Sequence, residues 1–571
     1  MKLPIGCLIA AGALCGMLYS QPANPQPEPP KTDCVLSGQV VNAATGEPLK
    51  KATVTLYRQD SLQYQPRQKD VDAEGRFAFD DLAPGRYALS ASRSGFTTQA
   101  YGAKRPGGRG GNPLTLLPKQ EMKDLRINLT PHGVVIGRVV DEDGDPRVGV
   151  SVSAIKSEWR GSRRQMVPYG TANTNDLGEY RLFGVPPGSF WIQASRQHDV
   201  SMPEPNFSAK PEEDYVTTYY PGTMDSNTAA QLQVRSGVEL RGIDIKMVKA
   251  RVVRVRGNVV SGASGGPVRA FVMMMPKESG WGGFMDVRQA TVMDAKGAFE
   301  FRGVTAGQYA IMANFGSPDG QMTAFQTVNV TDQPVTSLTV VMRPGVAISG
   351  TVITEGEEAA KNPDKDKGNA GAISMPLTLV LQPGEQGTVN FMGGGSAPVK
   401  EDGTFTLKSI HPGRYRVNAY GGGDGYLKSA RFGSVDVLAD GLEIPEGGVS
   451  GALEVVRSSK GAEVSGTLQD DKDKPLPGAT AVLLPEEKYR DQVDRFVVGT
   501  ADQYGAFTIK NVRPGKYKLI AIESAEGTEW MDPEFVKPYE KKAIALTLEE
   551  GQKEMRQLTV RSRAAAEEDK Q

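Results

Sequence analysis

Apolar and polar residues alternate over short stretches along most of the chain, and no window carries a sustained apolar stripe of helical period. Alternation of period two predicts strands with one buried face. One pattern of about 20 residues returns five times: DAEGRFAFDDLAPGRYALSA from Asp72, NDLGEYRLFGVPPGSFWIQA from Asn175, DAKGAFEFRGVTAGQYAIMA from Asp294, KEDGTFTLKSIHPGRYRVNA from Lys400 and DQYGAFTIKNVRPGKYKLIA from Asp502. In each copy a glycine follows a polar residue suited to a turn. Then comes an aromatic-x-apolar pair: Phe77/Phe79, Tyr180/Leu182, Phe299/Phe301, Phe405/Leu407 and Phe507/Ile509. After an aliphatic residue, Pro-Gly (Ala306-Gly307 in the third copy) makes a tight turn into a second strand. That strand begins at Tyr87, Phe190, Tyr309, Tyr415 or Tyr517, and its inward face tapers to alanine four residues on.

Upstream of each copy stands aliphatic-x-Gly-x-aliphatic, around Gly38, Gly137, Gly257, Gly350 and Gly466. Downstream, each unit closes with an alternating strand such as Leu125-Arg-Ile127-Asn-Leu129. A period of about 100 residues with some seven short strands predicts a β-sandwich. The expected fold is all-β: five tandem seven-stranded, Ig-like or prealbumin-like sandwiches after a signal peptide. The expected boundaries are 34–131, 132–248, 249–343, 344–457 and 458–563, with a charged tail at 564–571. Modest contacts between neighbours predict a semi-extended rod.

The array SGQVVNAATGEPLKKATVTL … DAEGRFAFDDLAPGRYALSA resembles the carboxypeptidase regulatory-like domain, as do GRVVDEDGDPRVGVSV at Gly137 and YYPGT at Tyr219. The resemblance covers essentially the whole mature chain. It implies a transthyretin- or prealbumin-like sandwich, grouped with starch-binding-like folds. It does not imply an activity, because such domains accompany many functions. In the peptidases the zinc chemistry belongs to a separate catalytic domain, for which this chain has no room.

The first 20 residues read as a secretory signal peptide, with Lys2 ahead of an apolar run from Ile5 to Leu18. Residues 21–33 read as a Pro-rich linker. An extracytoplasmic location follows: secreted, periplasmic or cell-surface. Cleavage leaves Cys34 as the only cysteine, so no internal disulfide is expected. No later stretch is long or apolar enough to span a membrane. The 571 residues include 66 glycines and 38 prolines, which fits frequent turns. With 66 basic against 67 acidic residues, nothing points to nucleic acid. Three histidines in three different units give no metal constellation, and each reads as a surface or turn residue.

Candidate chemistry is sparse. Gly262-Ala-Ser264-Gly-Gly266 matches a nucleophile-elbow pattern but occupies the place of a hairpin turn in the other units. Asp141-Glu-Asp143-Gly-Asp145 resembles half a calcium loop without its closing glutamate and reads as a solvated turn. No catalytic residue, metal or cofactor is expected. Aromatic side chains outside the repeated core are the better lead, since Trp and Tyr faces stack on sugars. Trp159, Trp191, Trp281, Trp530, Tyr219 and Tyr220 are therefore candidate ligand contacts, with interdomain joints or loop cores as the alternative. The expected function is a non-enzymatic binding or scaffold protein whose partner is a polysaccharide or an envelope protein. The alternative is a purely structural spacer or assembly module with no soluble ligand.

Overall fold

The computed structural model describes residues 34–562 except 61–65, 108–109, 161–162, 197–211, 278–286, 293–295, 318–319, 357–375, 384–394, 446–447 and 526. The expected signal peptide, Pro-rich linker and charged tail lie outside the described residues. The architecture is β-sandwich throughout. Five large apolar cores follow one another along the chain, one for each copy of the repeat.

Unit one shows the plan. One sheet runs Arg76–Leu82, Cys34–Asn42, Glu121–Pro131, Phe96–Thr97; the other runs Arg67–Asp70, Thr53–Arg58, Gly85–Ser92, with Gln99–Ala100 and Leu114–Leu116 along its far side. The opening strand Cys34–Asn42 lies antiparallel to the first repeat strand and parallel to the closing strand. The same parallel ladder recurs between Lys249–Ser261 and Val335–Pro344, between Val346–Glu355 and Ala452–Ser458, and between Ala462–Gln469 and Lys553–Thr559. Unit two keeps it only in fragments, at Glu239–Leu240 and Ile245–Lys246.

The glycine of the opening strand is fixed by close approach. A Cβ at Gly38 would lie 2.0 Å from the carbonyl oxygen of Leu125, and one at Gly466 would lie 1.6 Å from that of Arg556. The strand-opening glycines answer a different need. Gly75, Gly178, Gly297, Gly403 and Gly505 adopt φ between 68° and 80°, which a side chain disfavours. The polar residue before them closes the turn. Asp72 Oδ1 accepts from the backbone N–H of Glu74 (3.0 Å) and Arg76 (2.7 Å). Asn175 and Asp502 repeat this with their own i+2 and i+4 amides.

The repeated pairs fill the cores as their alternation predicts. Phe79, Leu182, Phe301, Leu407 and Ile509 are each at most 1% exposed. The tyrosine of the second strand has an additional task. Tyr87 donates to the carbonyl of Ala83 at 2.8 Å; Tyr309, Tyr415 and Tyr517 donate to those of Thr305, His411 and Arg513, each at 2.9 Å. The ring enters the core while its hydroxyl ties down the Pro-Gly turn, or the Ala306-Gly307 turn in unit three.

Three features depart from the sequence reading. The chain is not a rod: unit five reaches back to units one and two. The stretch after Ala521 contains a helix, Pro533–Glu540, started by Asp532, whose side chain accepts from the Glu534 N–H, with Pro533 next. Its Phe535, Val536 and Tyr539 pack on the outer face of a unit-five sheet, against Val482, Leu484, Ile520 and Ile522. Finally, His411 is in a turn, as expected, but is only 8% exposed, and its Nε2 has no hydrogen-bond partner among the described residues.

Candidate functional site

The turn Asp502-Gln503-Tyr504 of unit five docks on the edge strand Leu114–Leu116 of unit one. The Gln503 amide imitates a neighbouring strand. Its Oε1 accepts from Thr115 N–H at 2.9 Å and its Nε2 donates to Thr115 C=O at 2.6 Å. The Thr115 hydroxyl donates to Asp502 Oδ2 at 2.6 Å, and Asp502 itself is 3% exposed. Arg86 donates to the Thr500 carbonyl, Gln120 reaches the Tyr504 hydroxyl at 3.1 Å, and Lys104 meets Glu523 at 2.7 Å. Asn112 wedges between Gly102 and Gly478. A Cβ at either glycine would fall within 2.3 Å of the Asn112 amide group.

A cleft of about 540 Å³ opens where units one, four and five meet. Asp60, Arg86 and Asn112 line it from unit one, Asp424 from unit four, and Lys510 and Asn511 from unit five. Asp60 is held by Arg58 at 2.8 Å, and Asn511 donates to Asp424 Oδ1 at 3.0 Å. Burial lowers the affinity of the Arg86 guanidinium for its proton, with Asp502 and Asp60 opposing that effect. Asn112 Oδ1 is buried without a hydrogen-bond partner among the described residues. The wall therefore carries both charges together with amide donors and acceptors, while the Asn112 carbonyl is shut away from it. It can hold a polar ligand by hydrogen bonds, but it offers no nucleophile beside a base.

The aromatic candidates fall elsewhere. Trp159 is half-buried at the end of Val150–Arg160, where its carbonyl accepts from the Thr528 hydroxyl of unit five at 2.8 Å. Its indole Nε1 is buried without a hydrogen-bond partner among the described residues, and Arg164 lies 5.7 Å from its ring centroid. Trp530 is half-buried in the short 3₁₀ turn Glu529–Met531 and packs beside the Phe535 cluster. The joint between units two and five thus draws on the chain around both tryptophans. Trp191 is half-buried opposite Ile155 in the Val150–Arg160 ladder. Tyr219 is half-buried in Thr218–Tyr219, and Tyr220 packs against the core of unit two. Trp281 lies outside the described residues. None of the five described aromatic candidates lines the cleft.

The remaining motifs have structural settings. Ser264 occupies a tight turn in which Ser261 N–H donates to the Gly266 carbonyl and Gly265 N–H donates to that of Ser261, both at 2.8 Å. Asp141 closes its own turn through the amides of Asp143 and Asp145. Glu142 projects from that turn into the joint with unit three, bonded to Lys249 and to the Tyr215 hydroxyl. Those bonds hold its carboxyl down at about 2. Among the described residues, no group of three or more His, Cys, Asp and Glu side chains is placed to hold a metal ion. No helix among them is long and apolar enough to cross a membrane.

The clasp and the cleft escaped sequence reasoning, because Asn112 and Thr115 lie outside the repeat, and Gln503 and Lys510 fill positions of it that differ from copy to copy. Only the glycines at positions 102 and 478 were a signal, and they are indistinguishable from turn glycines.

Residues 35–129 match the model of the carboxypeptidase regulatory-like domain, and the first sandwich is a domain of that kind. No curated protein matches the chain. Among solved structures, the minor pilin GBS52 of Streptococcus agalactiae is similar at 13% identity, over 38% of this chain and 96% of that one, with a TM-score of 0.23. The Bacillus anthracis TIE protein aligns at 13% identity over 75% of this chain and 74% of its own, with a TM-score of 0.14. BcpA, the major pilin subunit of Bacillus cereus, aligns at 10% identity over 54% of this chain and 99% of its own, also at 0.14. At scores this low the superpositions assign neither activity nor partner to this chain.

Proposed function

We propose that this chain is a non-enzymatic extracytoplasmic scaffold that binds an envelope saccharide in the cleft between units one, four and five. The observation that carries the reading is the cleft itself. Its volume of about 540 Å³ suits a short saccharide. Its neutral amides and paired charges suit a ligand rich in hydroxyls and poor in net charge. The export signal legible in the first 20 residues supports an extracytoplasmic setting.

A second reading, an assembly module with no soluble ligand, is favoured by the way Trp159 and Trp530 are half-buried near the joint of units two and five. Retention on immobilised envelope polysaccharide separates the two. The saccharide reading expects wild type to be retained and both Asp424→Ala and Lys510→Ala to be released. If wild type is not retained, the assembly reading replaces it. Retention lost in Trp159→Ala but kept in Asp424→Ala would move the ligand to the aromatic joint.

A further inference from the structure

The five units differ in what flanks the closing strand. In units one, three and four another strand pairs with it: Phe96–Thr97, Gly320–Val330 and Tyr426–Phe432 respectively. In unit two the closing segment pairs only through two-residue pieces, too short to offer an edge. Unit five has neither protection. Among the described residues its sheet runs Ala506–Val512, Ala462–Gln469, Lys553–Thr559, and ends there. Part of the chain that would supply a flanking strand is spent on the helix Pro533–Glu540, which covers the other sheet.

The direction of the free groups follows from the ladder. Gln552 C=O accepts from Glu463 N–H, and Val560 N–H donates to Gln469 C=O, so the even-numbered residues face the opening strand. Lys553, Met555, Gln557 and Thr559 then aim N–H and C=O at the open side. Arg556 Nη1 occupies the Met555 carbonyl at 3.0 Å, a contact that an incoming strand would displace. Met555 is 77% exposed, the highest value among the large apolar residues described.

We infer that this edge pairs with the same edge of a second copy, antiparallel, about a dyad at Met555. The sequence of the strand is self-complementary in that register. Met555 faces Met555, Lys553 faces Gln557, and Glu554 faces Arg556 twice, in the closely spaced positions where side chains meet. Glu554 and Arg556 already pair within one strand at 2.7 Å, so the dimer assembles four alternating charges into one network. Sliding the dyad to Arg556 would set Arg556 against Arg556, which like charge disfavours. The partner is therefore a second copy of this chain, and the contact is independent of any ligand in the cleft.

Sedimentation velocity of the purified full chain over a concentration series tests this. A monomer–dimer equilibrium is expected. Met555→Lys sets two ammonium groups at the dyad and should raise the dissociation constant about tenfold or more. Glu554→Arg should do the same, and Glu554→Arg combined with Arg556→Glu should restore wild-type association. Since Met555 is exposed, its variant keeps the core intact, and an unchanged thermal transition verifies that. A monomer at every concentration overturns the inference. So does a dimer indifferent to Met555→Lys, or a monomer whose Met555 and Gln557 amides exchange slowly because another segment covers them.

Discussion

His411 is the residue at which burial and chemistry conflict most openly. It sits between the two repeat strands of unit four, and desolvation lowers its pKa from the ordinary 6.5. No carboxylate is among the causes that could hold the charged form. A depressed folded pKa means the unfolded chain takes up the proton first as pH falls. The contribution to stability is thus complete above about 6.5 and is lost below it, down to the folded value. Thermal unfolding of the full chain followed from pH 7 to pH 5 should show the transition of unit four falling, and His411→Gln should flatten that fall. An identical fall in the variant would refute this. Burial lowers the pKa of His132 as well, so its contribution has the same sign. The backbone carbonyl of His411 is meanwhile engaged by Tyr415. The sequence spoke for that tyrosine, which recurs in four of the five units, and was silent on the burial of the imidazole, because one histidine has no periodicity to read.

Strands and turns were the most legible part of the molecule. The Phe77/Phe79 pair and its four counterparts are buried where period two places them, and the glycines around them are turns or close approaches. The helix Pro533–Glu540 was missed for a physical reason. Eight residues are too few to show a stripe, and they bury only Phe535, Val536, Pro538 and Tyr539. The local start signal was nevertheless present, an aspartate followed by proline. Asp532 accepts from the Glu534 N–H at 2.9 Å and lies 4.0 Å from Arg164 of unit two. Asp532→Ala should cost about 1 kcal/mol of stability in unit five, read by urea unfolding of the full chain. Asp532→Asn should recover most of it, since an amide oxygen caps a helix equally well. Equal losses in both variants would show that the Arg164 contact, not the cap, is the source.

Across the whole chain, the sequence predicted a line and the structure closes it. Repeat arrays stack each unit on its neighbours. Here unit five touches units one, two and four. The closure rests on polar side chains: Gln503 on the Thr115 backbone, Lys104 on Glu523, Arg86 on the Thr500 carbonyl. Such contacts leave no hydrophobic pattern along the chain and come together only in the folded molecule. They also create the cleft, whose walls bring unit one against units four and five, from which a rod would hold it apart. Small-angle X-ray scattering of the full chain tests this closure most directly. The measurement is made at high dilution, so that edge pairing does not contribute, and is compared with Thr115→Pro/Gln503→Ala, which removes the paired amide bonds. The account predicts a closed particle for wild type and a larger maximum dimension for the variant. A wild-type profile as long as five sandwiches laid end to end, unchanged in the variant, would contradict it.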